Sequence, residues 1–268
     1  MSITPYEDLN VVLHELVSRI ESILGKTLIG IYLQGSFAVG DFDEHSDVDF
    51  IVVMDQELSS DQVNHLQEMH DRLFDFGSEW AKHLEGSYFP AAVLRSTAKC
   101  GEDVWYLDHG ARSLIRSDHC NTLLVRWVVR ESGVILYGPP PETLIENIST
   151  GALKAEIYKV MHTWGKHILE QPSTYNNRFY QGYIVLNYSR MLHDLIRGIP
   201  GSKREGADWA KAHLDPQWID LIDNAWDCRP DPARQVREPA DPQAYERTVR
   251  FLRYVLDESQ GALSGTTQ

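Results

Sequence analysis

Two short stretches of the chain carry residue types suited to phosphate chemistry. Gly35-Ser36 closes one apolar run, and after ten intervening residues Asp47-Val48-Asp49 opens another, Phe50-Ile51-Val52-Val53. A strand sends alternate side chains to opposite faces, so Asp47 and Asp49 leave the same face with Cα atoms about 7 Å apart. Two carboxylates there make a site for a hard cation. Mg2+ takes a few carboxylate oxygens together with substrate phosphates, and two such ions steady the attacking and leaving oxygens of an in-line phosphoryl displacement. Gly35 permits a tight turn that brings backbone N–H groups and the Ser36 hydroxyl close to polyphosphate oxygens. A solvated acidic turn would account for Asp41, Asp43 and Glu44. It does not account for Gly-Ser at one strand end and Asp-x-Asp at the start of a buried run.

These residues need a sheet to hold them. Thr4 with Glu7 three residues on reads as a capping box, with Pro5 in the first turn and Gly25 as the stop; Leu9, Val12, Leu13, Leu16, Val17, Ile20, Ile23 and Leu24 form one apolar stripe. The pattern then predicts a strand over 28–34, a turn-rich piece over 35–46 and a strand over 47–54. A helix from Ser59 or Ser60 through Leu84, a strand over 87–94, a helix over 121–131 and a strand over 133–137 follow. This is an α/β order. Beyond about residue 150 the strand signals stop, and helical stretches cover 152–170, 177–197 and 244–257, with shorter ones around Trp209 and Trp218. The expected fold class is therefore an α/β N-terminal domain, a mixed sheet flanked by helices, over 1–150, and an all-α bundle over 151–268. Pro230, Pro232, Pro239 and Pro242 mark a loop, and 264–268 a frayed tail.

Composition excludes several classes. With 268 residues, 43% of them hydrophobic, the chain buries a sizeable core and is neither disordered nor a small disulfide scaffold. No run approaches the ~20 apolar residues of a bilayer span, and the first residues lack a signal peptide's basic and apolar regions, so a cytoplasmic location is expected. Cys100, Cys120 and Cys228 are odd in number, far apart and without CxxC spacing; they read as packing residues rather than as a disulfide framework or a thiolate zinc site. His65 and His70 lack the spacing of a zinc protease. A net charge of −14 repels bulk nucleic acid and would draw in a small polycation.

Gly35-Ser36, ten residues, Asp47-Val48-Asp49 and an apolar strand together resemble the signature of the polymerase-β-like nucleotidyltransferase superfamily. Ser117-Asp118-His119 before an apolar helix, Val134-Ile135-Leu136-Tyr137-Gly138-Pro139, Asn187-Tyr188-Ser189-Arg190, and Lys203 followed by Ala207-Asp208-Trp209-Ala210 resemble the streptomycin/spectinomycin adenylyltransferases, over nearly the whole chain. The resemblance implies ATP as co-substrate, Mg2+ as cofactor, and transfer of AMP to a hydroxyl of a small molecule with release of pyrophosphate. An aminoglycoside or aminocyclitol is the leading acceptor. Transfer to another small molecule or to a protein hydroxyl is the alternative within catalysis, and a silent nucleotide-binding module the alternative outside it.

Residue by residue, the same resemblance implies Mg2+ at Asp47 and Asp49, phosphates at Gly35 and Ser36, and Glu85 as general base or third metal ligand. It implies Arg190 and Lys203 as cations reaching the phosphates across a cleft that the helical domain closes, and places Trp226 near the base. For the acceptor it implies a stacking face, which Trp105 would supply, and an acidic position that here falls on Tyr180; Glu102, Asp103, Asp108 and Glu170 are the substitutes. His119 would orient Asp118 or a cleft residue, or be structural. Tyr175, Phe179, Tyr180, Tyr183 and Tyr188 read as an aromatic helix face used mainly for packing. A monomer is expected.

Overall fold

The computed structural model describes residues 3–44, 46–229, 235 and 238–264. Pro230, Pro232, the His45 of the motif and 265–268 lie outside the described residues. The chain divides into two compact units, the first ending at Ile148 and the second beginning at Ser149.

The first unit is built on a six-stranded mixed sheet. Its strands are β1 (Leu28–Leu33), β2 (Val48–Met54), β3 (Leu84–Pro90), β4 (Val104–Leu107), β5 (Leu114–Ser117) and β6 (Val134–Tyr137), in the order β5-β4-β3-β2-β1-β6. β2 and β3 run parallel, with Asp49 opposite Glu85, and every other pairing is antiparallel. Alternation along the strands divides the buried residues between two faces. On one, Phe50 and Val52 of β2, Tyr88 of β3 and Leu107 of β4 pack beneath α1 (Glu7–Leu24) and α3 (Ser60–Phe74), whose Leu9, Leu13, Leu16, Leu66 and Leu73 close the core. On the other, Ile51, Val53, Phe89 and Val104 meet Val129 of α5 (Leu123–Ser132). Between β1 and β2 lies α2 (Gly35–Val39), and α4 (Ala91–Arg95) follows β3.

Several elements differ from the sequence reading. Thr4 and Glu7 do not form a capping box: α1 starts after Tyr6, and instead the Thr4 N–H donates to Asn10 Oδ1 and the Asn10 side-chain N–H donates to the Thr4 carbonyl, both at 2.8 Å. The turn-rich piece after β1 begins as a helical turn. The helix expected through Leu84 ends at Phe74, because Gly77 takes a left-handed conformation at φ 88, and a short 3-10 turn over Glu79–Lys82 leads into β3 three residues earlier than expected. Ser59 caps α3 in a capping box with Gln62. β4 and β5 have no counterpart in the sequence reading.

The second unit is all-helical: α6 (Thr150–Glu170), α7 (Pro172–Tyr175), α8 (Arg178–Arg197), α9 (Lys203–His213), α10 (Ile219–Asp227) and α11 (Pro242–Ser264). α8 is the central helix, with Ile184, Val185, Tyr188, Leu192 and Leu195 buried; Met161 of α6 and Phe251 and Leu252 of α11 are buried with it. No described helix is long and apolar enough to cross a membrane.

Candidate active site

The site residues of the first unit gather on one face of the sheet, at the end where the parallel strands β2 and β3 begin. Asp47 immediately precedes β2, Asp49 is its second residue, and Glu85, the second residue of β3, is in register with Asp49. Register partners of a parallel pair project to the same face about 4.8 Å apart, so these carboxylates are neighbours by construction.

Gly35 fits this face by lacking a side chain. Its φ is 59, and a Cβ built there would lie 2.1 Å from Asp49 Oδ2. The Asp49 carboxylate therefore occupies the space that any other residue at 35 would fill. The Gln34 N–H donates to the Asp49 carbonyl at 2.9 Å, which ties the end of β1 to the same residue. Ser36 stands in the first turn of α2, where helix geometry leaves the leading N–H groups without intrahelical acceptors. An aromatic cluster fixes this turn: Phe37 stacks on Phe42 at 4.4 Å, and both rings meet Tyr6 or Trp80. Spacing alone did not reveal that anchor.

Each carboxylate has its own surroundings. His109 Nδ1 lies 2.8 Å from Asp47 Oδ1. That contact, with Glu85 and Asp108 near by, holds the imidazole above its ordinary pKa. The neighbouring His83, 5.3 Å away between ring centroids, is pushed down by burial and by the His109 charge. Glu85 is more enclosed than Asp47, with only 13% of its side chain exposed against 44%. Burial raises its pKa first, and Asp47 and Asp108 add to the effect; a hydrogen bond from the Tyr106 hydroxyl at 2.7 Å works the other way. Asp108 Oδ1 also lies within 3.0 Å of that hydroxyl. His119 Nε2 is 3.6 Å and Cys120 Sγ 4.0 Å from Glu85 Oε1. Burial pushes the Cys120 thiol up to about 12.

Trp105 is not brought to this face. β4 alternates, and it is Tyr106 that points toward Glu85; Trp105 packs against the core on the α1/α3 side, with the Arg116 guanidinium 5.6 Å from its ring. The alternation along this four-residue strand places the Trp105 side chain on the face opposite the carboxylates. Of the acidic substitutes, Asp108 joins the carboxylate group.

In the second unit, Arg190 lies on α8 and Lys203 opens α9. Gly206 brings the helices together: a Cβ there would fall 2.4 Å from Arg190 Cα. Arg190 donates to Asn187 Oδ1 at 3.0 Å and lies near the buried Asp194, whose pKa burial raises and whose carboxylate accepts from the Gly201 N–H. The Lys203 ammonium is 5.4 Å from the centre of the Tyr183 ring. Tyr180, half-buried at the start of α8, packs with Tyr175, Phe179 and Tyr183; Tyr188 departs from this face and is buried in the core. Trp226 holds the Arg204 and Arg229 guanidiniums at 4.7 and 3.7 Å from its ring.

The donor set of the first unit fits a hard divalent cation: oxygen ligands on adjacent strand positions, and a glycine that leaves one of them room. Residues 13–86 match the family model described as nucleotidyltransferase domain, and residues 143–257 match the one described as aminoglycoside adenylyltransferase, C-terminal domain. No curated protein matches the chain. Among solved structures the chain is similar to spectinomycin adenyltransferase AAD(9) from Enterococcus faecialis, a structure with ATP and spectinomycin. The TM-score is 0.67 and the identity 13%, over 93% of this chain and 98% of that one. At that identity the likeness concerns the fold.

Proposed function

For a chain that matches the nucleotidyltransferase domain over 13–86 and the aminoglycoside adenylyltransferase C-terminal domain over 143–257, we propose the transfer of AMP from ATP to a hydroxyl of a small cationic acceptor, an aminoglycoside or aminocyclitol, with pyrophosphate as the other product. The observation that carries this reading is the placement of Asp47, Asp49 and Glu85 on one sheet face with Gly35 making room for Asp49.

Asp47 and Asp49 would hold Mg2+, which when bound neutralises phosphate charge and acts as a Lewis acid on the reacting phosphoryl group. Gly35 lets the backbone approach the triphosphate, and the Ser36 hydroxyl and first-turn N–H groups donate to its oxygens. Arg190 and Lys203 supply cationic contacts to the same phosphates, the guanidinium as a fork and the ammonium as a point charge. Glu85 takes the proton of the attacking hydroxyl. Its raised pKa suits that role, since a base is most effective when its pKa approaches the working pH. Tyr106 holds the Glu85 carboxylate by a hydrogen bond to Oε1 and so fixes its direction. The acceptor class is supported by the C-terminal domain match, by the net charge of −14, and by Asp108 beside Glu85 as a partner for an ammonium group.

The test is Mg2+-dependent pyrophosphate release from ATP by wild type and Asp49→Asn, across streptomycin, spectinomycin and a panel of unrelated hydroxylated compounds. Release with an aminoglycoside or aminocyclitol alone, lost in the variant, is the expected result. Metal-dependent ATP binding with no release from any acceptor would overturn the assignment of a transferase.

A further inference from the structure

His119 and Cys120 have no part in that reaction, yet both converge on Glu85. Cys120 Sγ lies 4.0 Å and His119 Nε2 3.6 Å from the same oxygen, Oε1. The three ligand atoms lie within 4.8 Å of one another, and among the described residues no other three His, Cys, Asp or Glu side chains come as close. A tetrahedral zinc ion with bonds of about 2.0–2.3 Å sets its ligand atoms about 3.3–3.7 Å apart. The two distances to Glu85 are thus within a few tenths of an ångström of what zinc requires. His119, with 66% of its side chain exposed, is free to rotate and close the third.

A second observation concerns the sulphur. Ser87 Oγ is fully buried on the same face of β3 as Glu85 and faces the Cys120 sulphur without a hydrogen bond of good geometry. A neutral thiol is a weak acceptor; a metal-bound thiolate is a good one and would satisfy this hydroxyl. Gln34 also directs its side chain to the sulphur.

We propose that Glu85, His119 and Cys120 form a binding site for a borderline-soft divalent cation of the zinc class, with solvent as fourth ligand, and that its occupation switches the enzyme off by engaging Glu85. Binding releases the Cys120 thiol proton to solvent. Mg2+ does not compete, because a hard cation has little affinity for sulphur or imidazole, whereas the pair Asp47 and Asp49 offers oxygen alone. The inhibitory half of this proposal rests on Glu85 acting as the base; the binding half does not.

The full-length chain titrated with Co2+, a spectroscopic stand-in for zinc, tests it. A thiolate-to-cobalt charge-transfer band is expected to saturate at one equivalent, to withstand a large excess of Mg2+, to persist in Cys228→Ser and to vanish in Cys120→Ser. His119→Ala, at an exposed position that leaves the core intact, is expected to weaken Co2+ binding at least about tenfold, since losing even an outer-shell partner costs about 10–100-fold. In the pyrophosphate assay at saturating Mg2+, Zn2+ should inhibit wild type. The half-inhibitory concentration should rise by a similar factor in His119→Ala, each protein being referred to its own zinc-free rate. No thiolate band, or a band unchanged in Cys120→Ser, overturns the site. A band accompanied by zinc-insensitive turnover overturns the switch. Absence of pyrophosphate release from any acceptor counts against the transferase reading instead, and the cobalt spectrum still decides the metal site.

Discussion

Gly35→Ala separates the two things a glycine can do at this position. The left-handed φ of 59 penalises any L side chain, by about 1–2 kcal/mol. Space adds a second and larger effect. The new Cβ would fall 2.1 Å from Asp49 Oδ2, whereas real Cβ atoms essentially never approach closer than 3.0 Å, so the carboxylate must retreat by about 1 Å or rotate away. A misplacement of that size at a reacting centre costs about 10²-fold in rate, which is about 2.7 kcal/mol of barrier. Gly40→Ala is the control. Gly40 also has a left-handed φ, 78, but nothing lies within 4 Å of its Cβ position, so this variant carries the backbone penalty alone. Thermal denaturation should show both variants destabilised, Gly35→Ala at least as much as Gly40→Ala. Pyrophosphate release should fall about 100-fold in Gly35→Ala and stay within about threefold of wild type in Gly40→Ala. If the two variants turn over equally, Gly35 is there for the turn and the argument that it makes room for Asp49 is wrong.

Tyr106→Phe removes the hydrogen bond that favours the charged form of Glu85, leaving burial and the neighbouring carboxylates to raise its pKa further. Because a general base must be deprotonated, the acidic limb of the kcat/KM profile should move to higher pH; a limb that stays or moves down contradicts the role. Arg190→Gln should raise the KM for ATP by about tenfold or more, the value of one charge-assisted contact of about 1.5–3 kcal/mol, and an unchanged KM would remove Arg190 from the nucleotide site. His109 has a folded-state pKa above its ordinary 6.5, so the stability it contributes through Asp47 is fully present below that pH and is lost as pH rises through the folded value. The melting-temperature difference between wild type and His109→Gln should therefore shrink from acidic to alkaline pH; a constant difference would mean that the imidazole titrates normally.

The sequence made β2 and its carboxylates legible because an Asp-x-Asp pair before a buried apolar run has few other readings. The helical half was equally legible, since α6, α8 and α11 are long helices. The segment between α3 and β4 was not. There a glycine with positive φ, a single 3-10 turn and a strand that starts at Leu84 replace what reads as one continuous amphipathic helix. The error matters for function, because the second residue of that strand is Glu85: only the register with Asp49 brings it to the carboxylate face. β4 and β5, four residues each, are too short for a period-two pattern to stand out. The alternation that turns Tyr106, and not Trp105, toward Glu85 is set by β4 and is not visible in the sequence. The Glu85, His119 and Cys120 grouping had no signature at all, since its members come from a strand and from the segment before α5, with no repeated spacing.

Along the carboxylate face the strands change character within two residues. Asp49 is followed on that face by Ile51 and Val53, and Glu85 by Ser87 and Phe89, so charge at the start of each strand gives way to a buried apolar cluster. The apolar half anchors the strands, and the charged half inherits a fixed register from it. Mutual repulsion among Asp47, Glu85 and Asp108 would favour spreading the group apart. Pairing of β3 to β2 and β4 holds the group together, and the repulsion adds to burial in raising the Glu85 pKa. The His109 imidazole beside Asp47 and the Tyr106 hydroxyl on Glu85 offset part of it without neutralising the site. A face held in this way is poised for positive charge, and the two kinds of cation that fit it differ in where they bind: a hard one at Asp47 and Asp49, which would support transfer, and a softer one at Glu85, His119 and Cys120, which would oppose it.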